Sequence, residues 1–290
     1  MRLRLGCHFE HDAAEPTPAV LLVEPHLDER GQVVAERWTT EPELRTTGYL
    51  DLYGNRCRRV LLPAGASTIT VDAVAEISPE PDAVPGPGEA QHRIEALPDE
   101  VLHWLLPSRL CESDTLADEA WVLFGSTTPG AARVQAVCDW IHGNIQYGVE
   151  SISTTATREV FERRGGMCRD FAHLGVTFCR ALGIPARYVF GYMPDIGIPG
   201  PYPPMDFHAW FEVWLGSSWW TYDARFNVPR IGRVAIGRGR DAVDVAMVTT
   251  YGVATLRRMV VWADEVGDTD ELTDISVALA TPSAQEWRGR

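Results

Sequence analysis

The chain has 290 residues, 45% of them hydrophobic and 23% charged, enough to bury a core as one large domain or two smaller ones without disulfides or metals. A formal net charge of -14 disfavours nucleic acid and anionic membrane as general partners. All 26 basic residues are arginine, which excludes a lysine Schiff base, a Ser–Lys dyad and a lysine-type P-loop.

The N-terminal stretch from Met1 to Asp12 lacks the apolar run of a signal peptide, and no segment reaches the roughly 20 apolar residues of a membrane span. Cys7, Cys57, Cys111, Cys138, Cys168 and Cys179 are scattered, with neither the spacing of a disulfide framework nor a C-x-x-C pair. The chain is therefore expected to be cytoplasmic, with reduced thiols.

The front of the chain has the pattern of several short strands. Ala19 to Val23 is an apolar run, and Val33 to Thr39 is expected to pair with it around Asp28 to Gly31. Leu50 to Tyr53 leads through the Gly54-Asn55 turn signal to Arg58 to Leu62, and Ser67 to Ile77 follows with further strand character. Short strands with frequent turns predict a small β-sandwich. The Pro-, Gly- and acid-rich stretch Pro79 to Gly88 then reads as a loop or linker. The expected division is a β-rich domain over 1–90 and a catalytic domain with trailing strands over 91–290.

Helical spacing begins after the linker, over Thr115 to Phe124 and Pro129 to Ile145. In the second helix Val134, Val137, Cys138 and Ile141 form one apolar stripe. Cys168 to Leu182 is the clearest amphipathic helix, with Gly183 placed to end it in the left-handed conformation. Ala186 to Tyr192 reads as a strand. Phe207 to Trp214 and Ser218 to Asp223 read as a hairpin about Gly216-Ser217, and strands return near Met247 and over Leu256 to Val261.

Gly165-Gly166-Met167-Cys168 places a thiol at the first turn of a helix, where free N–H groups and the helix dipole favour a thiolate. In the hairpin, Asp223 falls opposite Trp210 and diagonal to His208, so both side chains share one face of the sheet. A carboxylate can then accept from one ring nitrogen while the other faces the thiol. Taken singly, each residue has a plain structural use: a small buried cysteine, a strand histidine, a turn aspartate. Together, in the order Cys, His, Asp, they form the set that nucleophilic acyl transfer requires.

Four blocks carry a resemblance to a known family. They are Gly-Gly-Met-Cys-Arg-Asp-Phe-Ala-His-Leu from Gly165, Arg-Ala-Leu-Gly-Ile-Pro-Ala-Arg-Tyr-Val from Arg180, Asp-Phe-His-Ala-Trp-Phe-Glu-Val-Trp from Asp206, and Trp-Trp-Thr-Tyr-Asp-Ala from Trp219. Over roughly Thr128 to Arg225 the chain resembles the transglutaminase-like superfamily, and the front resembles a bacterial branch with an N-terminal β domain. The resemblance implies an α+β, papain-like core preceded by a β-sandwich, with Cys168 as nucleophile, His208 as general base and Asp223 as the orienting carboxylate. It implies a peptide or peptide-like amide substrate and a thioester intermediate. The superfamily holds cross-linkers, peptidases, amidases and non-catalytic members, so a binding or scaffold protein that retains the fold is the alternative. No cofactor or metal is expected, and no acidic cluster resembles an EF-hand loop.

Asn144, Gln146 and Tyr147 are the side chains considered as oxyanion donors beside the Cys168 N–H. His173 falls on another face of the Cys168 helix and is expected to bond locally. Cys111 is a second thiol without an evident base, and the Pro194 to Met205 loop is read as either a lid or a rigid connector.

Overall fold

A computed structural model describes residues 1–27, 31–86, 88–200 and 204–267. Six strands open the chain: β1 (Arg2–Ala13), β2 (Thr17–Leu21), β3 (Gly31–Glu41), β4 (Thr46–Leu50), β5 (Arg56–Leu62) and β6 (Gly65–Ile77). β1 was not among the expected strands, although Leu3, Leu5, Cys7 and Phe9 alternate along it and are all fully buried. The pairing expected between 19–23 and 33–39 does not form. β3 is hydrogen-bonded to β6, and β2 to β5. Ladder length accounts for this: β3 has 11 residues, which the 13 of β6 can satisfy and the five of β2 cannot. The β4–β5 hairpin follows the turn signal, with Leu50 opposite Arg56.

The middle of the chain carries the helices. They are α1 (Ala117–Phe124), α2 (Ala131–Asn144), α3 (Thr157–Arg163) and α4 (Cys168–Ala181), with two-residue strands β7 (Gln146–Tyr147) and β8 (Gly165–Gly166) paired in parallel between them. Then come β9 (Ala186–Tyr192), β10 (His208–Leu215), β11 (Ser218–Tyr222), β12 (Val234–Gly239), β13 (Val248–Thr250) and β14 (Ala254–Val266). The architecture is α+β. One sheet runs β11-β10-β9-β12 and is covered by α4.

The two front sheets run β14-β1-β6-β3 and β13-β2-β5-β4, so each takes a strand from the far end of the chain. β14 pairs with β1 along its length, from Arg2 opposite Val266 to Ala13 opposite Ala254. The front sheets and the β9–β10 sheet share one apolar interior. Phe207 joins them: its ring lies 6.5 Å from Phe9, 5.8 Å from Phe190 and 5.3 Å from Tyr192. The Tyr192 hydroxyl donates to the Val23 carbonyl at 2.9 Å, a second tie between the same regions.

Two short 3-10 turns, Ile94–Ala96 and Asp99–Leu105, bring Trp104 against Trp219 at 6.0 Å, and Trp219 packs on Trp214 at 5.5 Å. These hairpin tryptophans are therefore packing residues. Among the described residues no helix is long and apolar enough to cross a membrane.

Candidate active site

α4 holds Cys168 at its first position. The Asp170 carboxylate accepts the Met167 N–H at 2.8 Å, which caps the helix and puts a negative charge into its first turn. Phe178, on the buried face, packs among Phe124, Trp140 and Phe161 at 5.3, 5.6 and 6.0 Å. Gly175 faces the Phe211 ring so closely that an added Cβ would lie 2.4 Å from it. That close approach seats the nucleophile's helix directly on β10. Gly183, at φ +76°, turns the chain out of the helix.

His208 opens β10. The β10–β11 hairpin sets Phe211 opposite Tyr222, so Asp223 falls next, opposite Trp210, in the register expected from the sequence. Both side chains are buried, and His208 Nε2 lies 2.7 Å from Asp223 Oδ2. Beside the His208 bond, the carboxylate accepts three further contacts: Arg225 N–H and Phe226 N–H on Oδ1, at 3.1 and 3.4 Å, and Arg233 Nη2 on Oδ2 at 3.2 Å. On the other side of the ring, Nδ1 faces Arg225 Nη1 at 3.5 Å. The imidazole therefore carries its proton on Nε2, toward the carboxylate, and leaves Nδ1 as the lone-pair nitrogen.

Cys168 is half-buried, and its sulfur accepts a hydrogen bond from the backbone N–H of Ala209, the residue after His208. The nucleophile candidate thus abuts the start of the strand that carries the histidine.

The electrostatics correct one expectation. Burial pushes the Cys168 thiol up to about 11, with Asp206 adding to the rise, while the Ala209 N–H and Arg225 oppose it. Burial lowers His208, outweighing the upward pull of Asp223, and Arg233 and Arg225 lower it further. Burial alone would raise Asp223, yet His208, its hydrogen bond and Arg233 hold that carboxyl well below the usual carboxylate range. The resting pair is a neutral thiol beside a neutral imidazole. The standing thiolate expected from the helix N-terminus is not favoured, because burial disfavours the charged form and both Asp206 and Asp223 add negative charge near it.

The oxyanion candidates separate. Asn144 turns its amide back onto the Trp140 carbonyl at 2.8 Å, and Gln146 is exposed. The Tyr147 ring lies 6.0 Å from Phe171, on the helix that bears Cys168, with the Arg225 guanidinium 3.8 Å above it. His173 packs on Tyr188 at 4.8 Å and accepts from the remote Ala242 N–H at 3.1 Å, so it is a packing residue whose bond is not local. Cys111 is fully buried, lies 3.7 Å from the His173 carbonyl and is pushed up to about 12 by burial, which removes it as a reactive thiol.

Four charged residues beside the site were not found from the sequence: Asp82, Asp206, Arg225 and Arg233. Periodicity does not reveal them, because their partners lie elsewhere in the chain. The 194–205 loop is only partly described. At its start, Arg230 Nη2 donates to the Pro194 carbonyl at 3.0 Å and lies near Asp195. Residues 201–203 lie outside the described residues.

A model of the transglutaminase-like superfamily matches residues 121–224, from within α1 to the residue after Asp223. A solved structure from Cytophaga hutchinsonii, a candidate cysteine protease, superposes with a TM-score of 0.83 at 29% identity over 94% of each chain. An uncharacterised protein of Mycobacterium tuberculosis is 30% identical over 240 residues, covering 74% of this chain and 75% of the relative. The chain belongs to the transglutaminase-like superfamily. A relative in Mycobacterium leprae, also uncharacterised, is 27% identical over 229 residues, covering 77% of this chain and 81% of its own. The superfamily match stops short of the front sheets, whereas the likeness to the Cytophaga structure extends over both parts. At the level of the family these similarities support a thiol-dependent enzyme.

Proposed function

We propose that this transglutaminase-like protein is a cysteine-nucleophile amidase or acyltransferase acting on a peptide or peptide-like amide, with Cys168, His208 and Asp223 as its triad. The observation that carries the reading is the buried 2.7 Å bond from His208 Nε2 to Asp223, which leaves Nδ1 free of the carboxylate, beside a cysteine bonded to the next residue of the same strand. The Cys168 thiol gives its proton to His208 Nδ1 as sulfur attacks the carbonyl carbon. Asp223 steadies the imidazolium so formed, and the Cys168 N–H faces the developing oxyanion. Collapse of the tetrahedral adduct passes the proton to the departing amine and leaves a thioester. Water resolves it to an acid, or an amine to a new amide; hydrolysis is the outcome proposed here.

The neutral resting pair fits this order of events, since the proton moves only when the carbonyl is in place. The proposal includes a cytoplasmic site of action, supported by six free cysteines. It includes front sheets that pack as a β-sandwich and supply binding or assembly surface, with the main division near residue 90.

The test is turnover of a broad panel of peptides and amides by the full chain beside Cys168→Ala and Cys168→Ser. Turnover lost in both variants supports the enzyme, and release of free acid with no gain on adding amines identifies the hydrolytic branch. Turnover unchanged by either substitution, or binding without turnover that survives both, overturns the proposal in favour of a scaffold.

A further inference from the structure

Behind Asp223 lies a second layer of charge, built on Arg233 and Asp82. Arg233 sits just before β12, and its side chain is 4% exposed. Its Nη2 donates to Asp223 Oδ2 at 3.2 Å, on the oxygen that also receives His208 Nε2 at 2.7 Å. Its Nε donates to both oxygens of Asp82, at 3.2 and 3.0 Å, and its guanidinium lies 4.6 Å over the Trp210 ring. Asp82 comes from the stretch read as a linker. It is tied down in turn: its N–H donates to the Arg230 carbonyl at 2.9 Å, and its Oδ2 accepts the Arg230 N–H at 3.0 Å.

Asp223 pulls His208 toward the imidazolium form, against the burial that lowers it. A base that already holds a proton cannot take one from a thiol. A guanidinium on the shared oxygen changes that balance.

We propose that Arg233, held by Asp82, is a positioning residue of the site: it fixes the Asp223 carboxylate and, by sharing Oδ2 with His208, keeps the imidazole neutral and ready to accept the thiol proton. The inference rests on the triad reading above. The charged or titratable groups facing His208 are Asp223 and Arg225 from the end of the hairpin, Arg233 from the approach to β12, Cys168 from α4, and Asp206 from the loop before β10. Of these, Arg233 is the cation that touches the shared oxygen. Removing its charge releases the full field of Asp223 onto the ring.

The experiment follows the His208 ring signals by NMR in the full chain from pH 4 to 9, assigned by their loss in His208→Asn. It compares the native protein with Arg233→Met, which keeps the stem on Trp210, and Arg233→Lys, which keeps the charge. The expected result is a rise in the His208 titration midpoint of about one unit in Arg233→Met, a tenfold gain in proton affinity. Arg233→Lys stays within a few tenths of the native value. Iodoacetamide labelling of Cys168 then extends to lower pH in Arg233→Met, because the charged base stabilises a thiolate.

Equal shifts in the Met and Lys variants, or no shift in either, overturn the proposal and leave Arg233 a packing residue. If Arg233→Met fails to fold by circular dichroism, Arg233→Gln, which retains a neutral donor to Asp223, makes the same comparison. Labelling of Cys168 that ignores His208→Ala at every pH sinks the triad reading instead. The NMR midpoint needs no turnover and judges Arg233 separately.

Discussion

His11 and His208 both lie on strands and are almost equally buried, at 2% and 4% exposure, and burial lowers the proton affinity of both. They differ in what meets the ring. His11, on β1 of a front sheet, has Phe9 edge-on at 5.9 Å and no hydrogen-bond partner on either ring nitrogen. The hydroxyl of Ser67, its partner across the ladder, is also unbonded. His208 has a carboxylate on Nε2 and the Arg225 guanidinium facing Nδ1. Burial alone produces a neutral, inert imidazole; burial with one oriented carboxylate produces a candidate base. The β9–β10 sheet buries Glu212 and Asp223 among arginines, and β1 pairs its Arg4 with buried Asp72 but leaves the His11 ring unaccompanied.

The largest expected difference between the two histidines is in catalysis. His208→Ala and Asp223→Asn should each lower kcat/KM by about 10²–10⁴, the usual weight of a general base and its orienting group. His11→Phe should leave it within about twofold. A comparable loss in His11→Phe, measured on the same amide substrate, would erase the distinction.

Next in size is a stability effect from the catalytic sheet. Glu212, buried on β10, accepts from Arg187 Nε at 2.6 Å and from Arg238 Nε at 3.1 Å. Burial alone would raise its carboxyl, but the two arginines hold it at about 2. Glu212→Gln removes the buried anion that Arg187 and Arg238 share and should cost about 3–5 kcal/mol by denaturant unfolding. Its folded-state value is depressed, so the stabilisation is fully present above the ordinary glutamate range, near pH 4.5, and fades as the pH falls through about 2. A loss under 1 kcal/mol would mean that these ions are not held as described.

The smallest effect belongs to His11. Its folded-state proton affinity is depressed to about 4 from 6.5, so the unfolded chain binds the proton first, and stability falls as the pH drops from 6.5 toward 4. The full term is on the order of 2–3 kcal/mol. His11→Phe should flatten that part of the Tm-against-pH curve, and an unchanged slope would show that the ring finds a partner in solution.

Sequence reading reached the local features and missed the remote ones. The α4 helix, its Gly183 end and the β10–β11 register follow from residues within a dozen positions of one another and lie within a residue or two of expectation, and the β4–β5 turn falls at the Gly54-Asn55 signal although β4 ends at Leu50, where the expected strand over 50–53 begins. The Nε2–Oδ2 bond was legible for the same reason, since a two-residue turn fixes which side chains share a face. The pairing of β3 was misread because nearest-neighbour logic offered β2, whereas ladder length selected β6. β1 went unrecognised despite its alternation, because its partners are β6 and β14, neither of which adjoins it in the chain. Arg225 and Arg233 were invisible as site residues for a related reason: an arginine's charge is read from sequence, but the oxygen it meets is not. The preference of Cys168 for the thiol form is missed because a helix N-terminus is visible in sequence while burial of the sulfur is not.

The β1–β14 ladder also governs the order in which the molecule can be completed. β1 is synthesised before β14 and waits for residues 254–266 before one of its edges is satisfied, and β2 waits likewise for β13. Phe9 of that waiting strand abuts Phe207, the neighbour of His208. The helical middle can gather from contacts close in sequence, but the β1 edge closes only after some 240 residues have intervened, a separation that slows folding and prolongs exposure of an open strand edge. The return of β14 thus closes the sheet edge beside the strand on which Phe207 packs.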